Sequence, residues 1–178
     1  MEPVTGLLLL GMGVIALTGG LGSRKGAKAG AAADTSDRED TAPAGTVPAP
    51  DPIFEDFALD VLGKPYEWGA EGPDAFDCSG LVAYASELGI LPRGLGRQTA
   101  DGYYRMLLKV TGKIRAGDVL FYGIKGGPAT HAAIAASDED DDGRLLVLSA
   151  SGSKAKGGSV RAYDRATYRA DFLGAGRP

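Results

Sequence analysis

The apolar residues of this chain change their spacing part-way along it, from a helical period to short extended runs, and that order restricts the fold more than any other property. Asp51-Pro52 supplies a cap and a first-turn proline for a helix carrying Ile53, Phe54, Phe57, Ala58, Val61 and Leu62, and Gly63 stops it. A second helix is predicted from Cys78 to about residue 87, ended by Gly89, and a third over 98–107. Beyond residue 117 the pattern shortens into runs at 118–122, 131–136, 144–148, 159–161 and 172–174, separated by turn-forming residues. Helices first and strands afterwards predict an α+β domain, its N-terminal helices packed on an antiparallel sheet, over residues 52–178.

The first 51 residues obey neither period. Residues 4–21 are uncharged and apolar, long enough to cross a bilayer, and are succeeded by Arg24, Lys25 and Lys28. A cleaved secretory signal carries its positive charge ahead of the apolar core, whereas Glu2 stands there in this chain. Residues 1–22 are therefore read as a transmembrane anchor, with a cleaved signal and secretion as the alternative. The basic flank would keep the remainder of the chain on the cytoplasmic side, an arrangement suited to a viral or phage protein inserted in a membrane. Residues 23–51 are rich in Ala, Gly, Pro and Asp, and cannot bury enough apolar surface to offset their ordering entropy. They are expected to form a disordered linker with a reach on the order of 30 Å.

One cysteine and one histidine are present, and the net charge is −4. A single cysteine excludes an internal disulfide and a thiolate-based zinc site. No basic run is interleaved with aromatics, which argues against nucleic acid as a partner. The acidic run 138–142 lacks calcium-loop spacing and reads as a solvated hairpin turn, and 154–158 reads as an exposed loop. No metal or other cofactor is expected. Cys78 stands at the start of the second predicted helix, where the helix terminus favours a thiolate, and His131 opens an apolar strand. Together they have the settings of a nucleophile and its base, although a lone cysteine is equally a small buried apolar residue.

The sequence around these two residues resembles the NlpC/P60 family of cell-wall cysteine peptidases, which have a papain-like fold. The resemblance runs through Gly63-Lys64-Pro65-Tyr66-Glu67-Trp68-Gly69, Phe76-Asp77-Cys78-Ser79-Gly80-Leu81-Val82, Leu91-Pro92-Arg93, Gln98, Ala116-Gly117-Asp118-Val119-Leu120-Phe121, His131 and the closing Phe172-Leu173-Gly174. It implies Cys78 as nucleophile and His131 as general base, with backbone N–H groups at the helix start for the oxyanion. It also implies that Tyr66 lines the site and that Asp77 and Ser79 contact a free amino group of the substrate. Asp77 has capping the helix as its alternative role. The family's third catalytic position carries His, Asn or Gln, and here Ser149 falls at that place.

The implied function is a membrane-tethered peptidoglycan endopeptidase cutting a stem-peptide amide, between D-glutamate and the diamino acid. Its partners would be peptidoglycan stem peptides and a membrane reached through residues 4–21, placing it in a cell envelope or a virion membrane. A structural or assembly component of a phage virion or cell envelope, carrying a weakly active or inactive hydrolase domain, is the alternative.

Overall fold

The computed structural model describes residues 48–153 and 156–178. The anchor read in 1–22 and all but the last residues of the linker read in 23–51 lie outside the described residues. Among the described residues, no helix is long and apolar enough to cross a membrane.

Three helices come first. Helix α1 (Pro52–Val61) begins where expected: the Asp51 carboxylate accepts from the Ile53 N–H at 3.2 Å, and Pro52 occupies the first turn. Its buried stripe is Phe54, Phe57, Ala58 and Val61. Ile53 and Leu62 remain exposed, so the apolar face is narrower than the sequence suggests. Helix α2 (Cys78–Leu88) is capped by Asp77 and ends at Gly89, whose φ of 78° is a conformation that glycine adopts without strain. Helix α3 (Ala100–Met106) starts two residues later than predicted, because the Thr99 hydroxyl accepts the Gly102 N–H at 3.0 Å and fixes the cap there.

Six strands come after them: β1 (Leu108–Lys109), β2 (Val119–Gly123), β3 (Ala129–Ala135), β4 (Val147–Ser153), β5 (Gly157–Tyr163) and β6 (Phe172–Arg177). They form one antiparallel sheet in the order β1-β6-β2-β3-β4-β5. The strand predicted at 144–148 begins later and runs further. Asp140 accepts from the Arg144 N–H at 2.8 Å and Ser137 from the Leu146 N–H at 2.8 Å, which holds the chain in its turn until residue 147. Gly157 and Gly158, read as loop, belong to β5. In the acidic turn, Asp138 and Glu139 accept backbone N–H groups of Ala116 and Ile114, so these carboxylates tie the turn to the loop before β2.

Alternation along the strands divides the core into two layers. Val119, Phe121, Ala132, Ile134, Leu148 and Ala150 pack with the helices, whereas Leu120, Tyr122, Ala133, Ala135 and Val147 pack on the other side with Ile114, Leu145 and Ala166. His131 and Ser149 fall on this second side by parity. Phe121 makes an edge-on contact with Tyr104 at 5.3 Å, and Tyr122 lies 5.6 Å from the His131 ring.

Candidate active site

Cys78 is placed by the cap of α2. Both Asp77 oxygens are engaged: Oδ1 accepts from the Gly80 N–H at 2.6 Å, the Ser79 hydroxyl at 3.0 Å and Arg97 at 3.0 Å. Oδ2 accepts from the Gly69 N–H at 2.9 Å and Arg97 at 2.6 Å. A side chain at Gly80 would collide with the Ala70 carbonyl, so glycine lets the Gly69-Ala70 loop close over the helix start. Burial pushes the Asp77 carboxyl up, but hydrogen bonds from Arg97, Gly80 and Gly69 outweigh it and hold the group below the usual carboxylate range.

Cys78, His131, Tyr66, Asp77 and Ser79 all line one cleft of about 800 Å³. Trp68, Gln98, Ser151 and Arg169 line it too, and the Trp68 indole is largely exposed. The Tyr66 ring lies against Gly152, where an added Cβ would come within 2.8 Å of it.

Burial raises the Cys78 thiol above its ordinary value of 9.0, and the neighbouring Asp77 charge adds to this. The N–H groups of Ala132, immediately after His131, and of Ser79 act in the opposite sense, toward the thiolate. His131 is lowered to about 4, first by burial and then by the Arg169 charge. Both shifts favour the uncharged forms, a thiol and a neutral imidazole lining the same cleft, and run against the thiolate expected from the helix start because burial outweighs the N–H groups there.

The imidazole is gripped on one nitrogen. Nε2 lies 2.9 Å from Ser149 Oγ and 3.2 Å from the Tyr168 hydroxyl, while Nδ1 makes no hydrogen bond to the described residues. Ser149, expected at the third position, does meet His131. Tyr168 gave no signal in the sequence, because it sits on a single 3-10 turn (Ala166–Tyr168) that has no period to betray it. Arg97 was missed for a similar reason. It precedes α3 in a glycine-rich loop, and only the fold brings it to Asp77.

The family profile of NlpC/P60 matches residues 63–177, which includes every residue of this cleft. The chain belongs to the NlpC/P60 family. Among its relatives, protein P54 of Enterococcus faecium is 33% identical over 106 residues, covering 60% of this chain and 19% of the relative. A probable endopeptidase of Corynebacterium glutamicum is 42% identical over 82 residues, covering 44% and 35%. The probable endopeptidase YafL of Escherichia coli is 46% identical over 66 residues, covering 35% and 26%. The chain thus spans about a third or less of these relatives' length. The crystal structure of the NlpC/p60 domain of the peptidoglycan hydrolase SagA superposes with a TM-score of 0.50 at 29% identity, covering 68% of this chain and 92% of that domain. NlpC2 of Trichomonas vaginalis, at 24% identity and a TM-score of 0.53 over 68% of this chain and 44% of its own, shares the fold.

Proposed function

We propose that this NlpC/P60 protein is a peptidoglycan endopeptidase that hydrolyses an amide of the stem peptide through Cys78 and His131. The observation that carries the reading is the shared cleft. It sets the sulfur beside the backbone N–H of Ala132, the residue following His131, and it is lined by His131 itself, whose Nε2 is held by Ser149 and Tyr168.

The chemistry starts from the uncharged resting pair. As Sγ attacks the carbonyl carbon, its proton passes to Nδ1 of His131. Negative charge develops on the carbonyl oxygen. The Gly80 N–H is taken by the Asp77 side chain, the Leu81 N–H by the Asp77 carbonyl, and the Ser79 N–H faces the sulfur, which leaves the Cys78 N–H at the helix start to receive it. Collapse breaks the C–N bond as the imidazolium returns its proton to the leaving amine. Water, deprotonated by the same imidazole, then cleaves the thioester and regenerates the thiol.

Tyr66 and Ser79 are assigned to the substrate as cleft walls. Asp77 differs, because its carboxylate is already saturated by Arg97 and three other donors. Recognition of a free substrate amine by Asp77 therefore requires the guanidinium to move. The bond between D-glutamate and the diamino acid is the proposed target, and residues 1–22 the proposed tether to a membrane of the cell envelope.

The test is digestion of purified peptidoglycan by the full chain, by residues 51–178 and by Cys78→Ala, with released fragments read by mass spectrometry. New amino termini are expected from the first two only, with membrane retention confined to the full chain. A folded protein that releases nothing across several wall chemotypes would sink the peptidase reading and favour a structural envelope component.

A further inference from the structure

We propose that Tyr168 is a positioning residue whose phenol, acting through Ser149, holds His131 in the tautomer that leaves Nδ1 free of its proton. The inference rests on the reading of Cys78 and His131 as nucleophile and base, and it adds a residue to that reading.

Three hydroxyls meet beside the imidazole, and each has one proton to give. The Tyr168 hydroxyl donates to Ser149 Oγ at 2.9 Å. Ser149 then has two takers for its own proton, Ser151 Oγ at 2.9 Å and His131 Nε2 at 2.9 Å. Tyr168 decides between them. Having given its proton to Ser149, its oxygen presents only lone pairs to Nε2, 3.2 Å away. An unprotonated Nε2 would set a lone pair against a lone pair. With Nε2 protonated, the same nitrogen donates to both oxygens, and Ser149 passes its proton on to Ser151. The hydroxyls thus form a directed chain, Tyr168 to Ser149 to Ser151, that makes two acceptors out of groups able to play either part.

A hydroxyl alone does not fix a tautomer, because it rotates to suit its neighbour. The phenol here cannot drift. Its ring stacks on Tyr163 with centroids 3.9 Å apart and planes 14° apart, and it meets Tyr122 edge-on at 5.1 Å. Tyr122 is itself fixed by donating to the Ala166 carbonyl at 2.9 Å. Burial pushes the Tyr168 hydroxyl up to about 12, so it keeps the proton that the chain requires throughout the neutral range.

The single histidine makes the tautomer directly readable. In the untagged full chain labelled with 15N-histidine, a long-range 1H–15N correlation at neutral pH contains one imidazole. The expected pattern is a proton on Nε2 in the unmodified protein and a mixed or Nδ1-protonated pattern in Tyr168→Phe. On peptidoglycan fragments, kcat of Tyr168→Phe should fall between about tenfold and a hundredfold with KM little changed. Ser149→Asn, whose carboxamide oxygen accepts directly from Nε2–H, should restore the Nε2 pattern in the Tyr168→Phe background. Ser151→Ala removes the outlet for the Ser149 proton and should shift the tautomer in the same direction, which keeps the test open if Tyr168→Phe fails to fold. An Nδ1 proton in the unmodified protein, or a tautomer unmoved by a folded Tyr168→Phe, would overturn the proposal. An Nε2 proton in a protein that cuts no wall would support the wiring and overturn the peptidase reading alone.

Discussion

His131 shows how burial sets the character of a single side chain in this cleft. Its imidazole is held to about 4 by burial and by the Arg169 charge, against roughly 6.5 in an unfolded chain. Between those two values the folded imidazole is still neutral while the unfolded chain has already taken a proton, so acidification across that window favours the unfolded state. The contribution is fully present above pH 6.5 and is lost progressively as pH falls toward 4, amounting to about 3 kcal/mol across that window. Urea unfolding of the parent chain and of His131→Gln at pH 7.5 and pH 4 should show the variant losing less stability on acidification, by about that amount. Parallel losses would show that His131 is not kept neutral by its surroundings. Asp77 titrates below this window, since its hydrogen bonds hold it under the usual carboxylate range.

Secondary-structure elements carry the cleft by leaving room for one another. Strand β4 passes beneath the Tyr66 loop at Gly152, where a Cβ would stand 2.5 Å from the Gly157 carbonyl oxygen and 2.8 Å from the Tyr66 ring. Gly152→Ala should cost about 1–3 kcal/mol through overpacking and displace Tyr66 from the cleft. Thermal unfolding and a substrate KM would read the two effects, and an unchanged KM would separate Tyr66 from substrate binding. Much of this architecture was legible in the sequence. Caps and stops at Asp51, Gly63 and Gly89 marked α1 and α2, and the runs at 118–122 and 131–136 marked the central strands to within two residues at each end, because each signal is local. Strand β1 was not legible: two exposed residues, Leu108 and Lys109, carry no alternation. The resemblance placed Cys78, His131 and Ser149 in the site. Nothing local announced Arg97 or Tyr168, whose partners lie 20 and 37 residues away, and pairing at that separation belongs to the fold.

Across the whole domain, the sheet is fastened by an ion pair between β6 and the turn before β2. Arg177 on β6 donates twice to the buried Asp118 before β2, at 2.7 and 2.8 Å, and Asp118 also accepts the Arg115 N–H. Arg177→Ala leaves the buried Asp118 carboxylate without its cation and should lower stability. Denaturant melts would show a lower midpoint in the variant, and an unchanged midpoint would mean that water replaces the guanidinium without penalty.

The sheet order also separates pairings between near neighbours in the chain from distant ones. Strands β2 to β5 are joined to their neighbours by consecutive antiparallel connections, whereas β6 must return past all of them to lie between β1 and β2. Contacts between near neighbours in the chain close first, and distant ones wait for loop closure. Tyr168 rides on the segment leading into β6. A chain that has assembled α2 and β2–β5 already holds Cys78 and His131, the proposed nucleophile and base, yet lacks the phenol proposed to position the imidazole. A site carrying the proposed chemistry would then be assembled disarmed, and the last strand to dock would set its trigger.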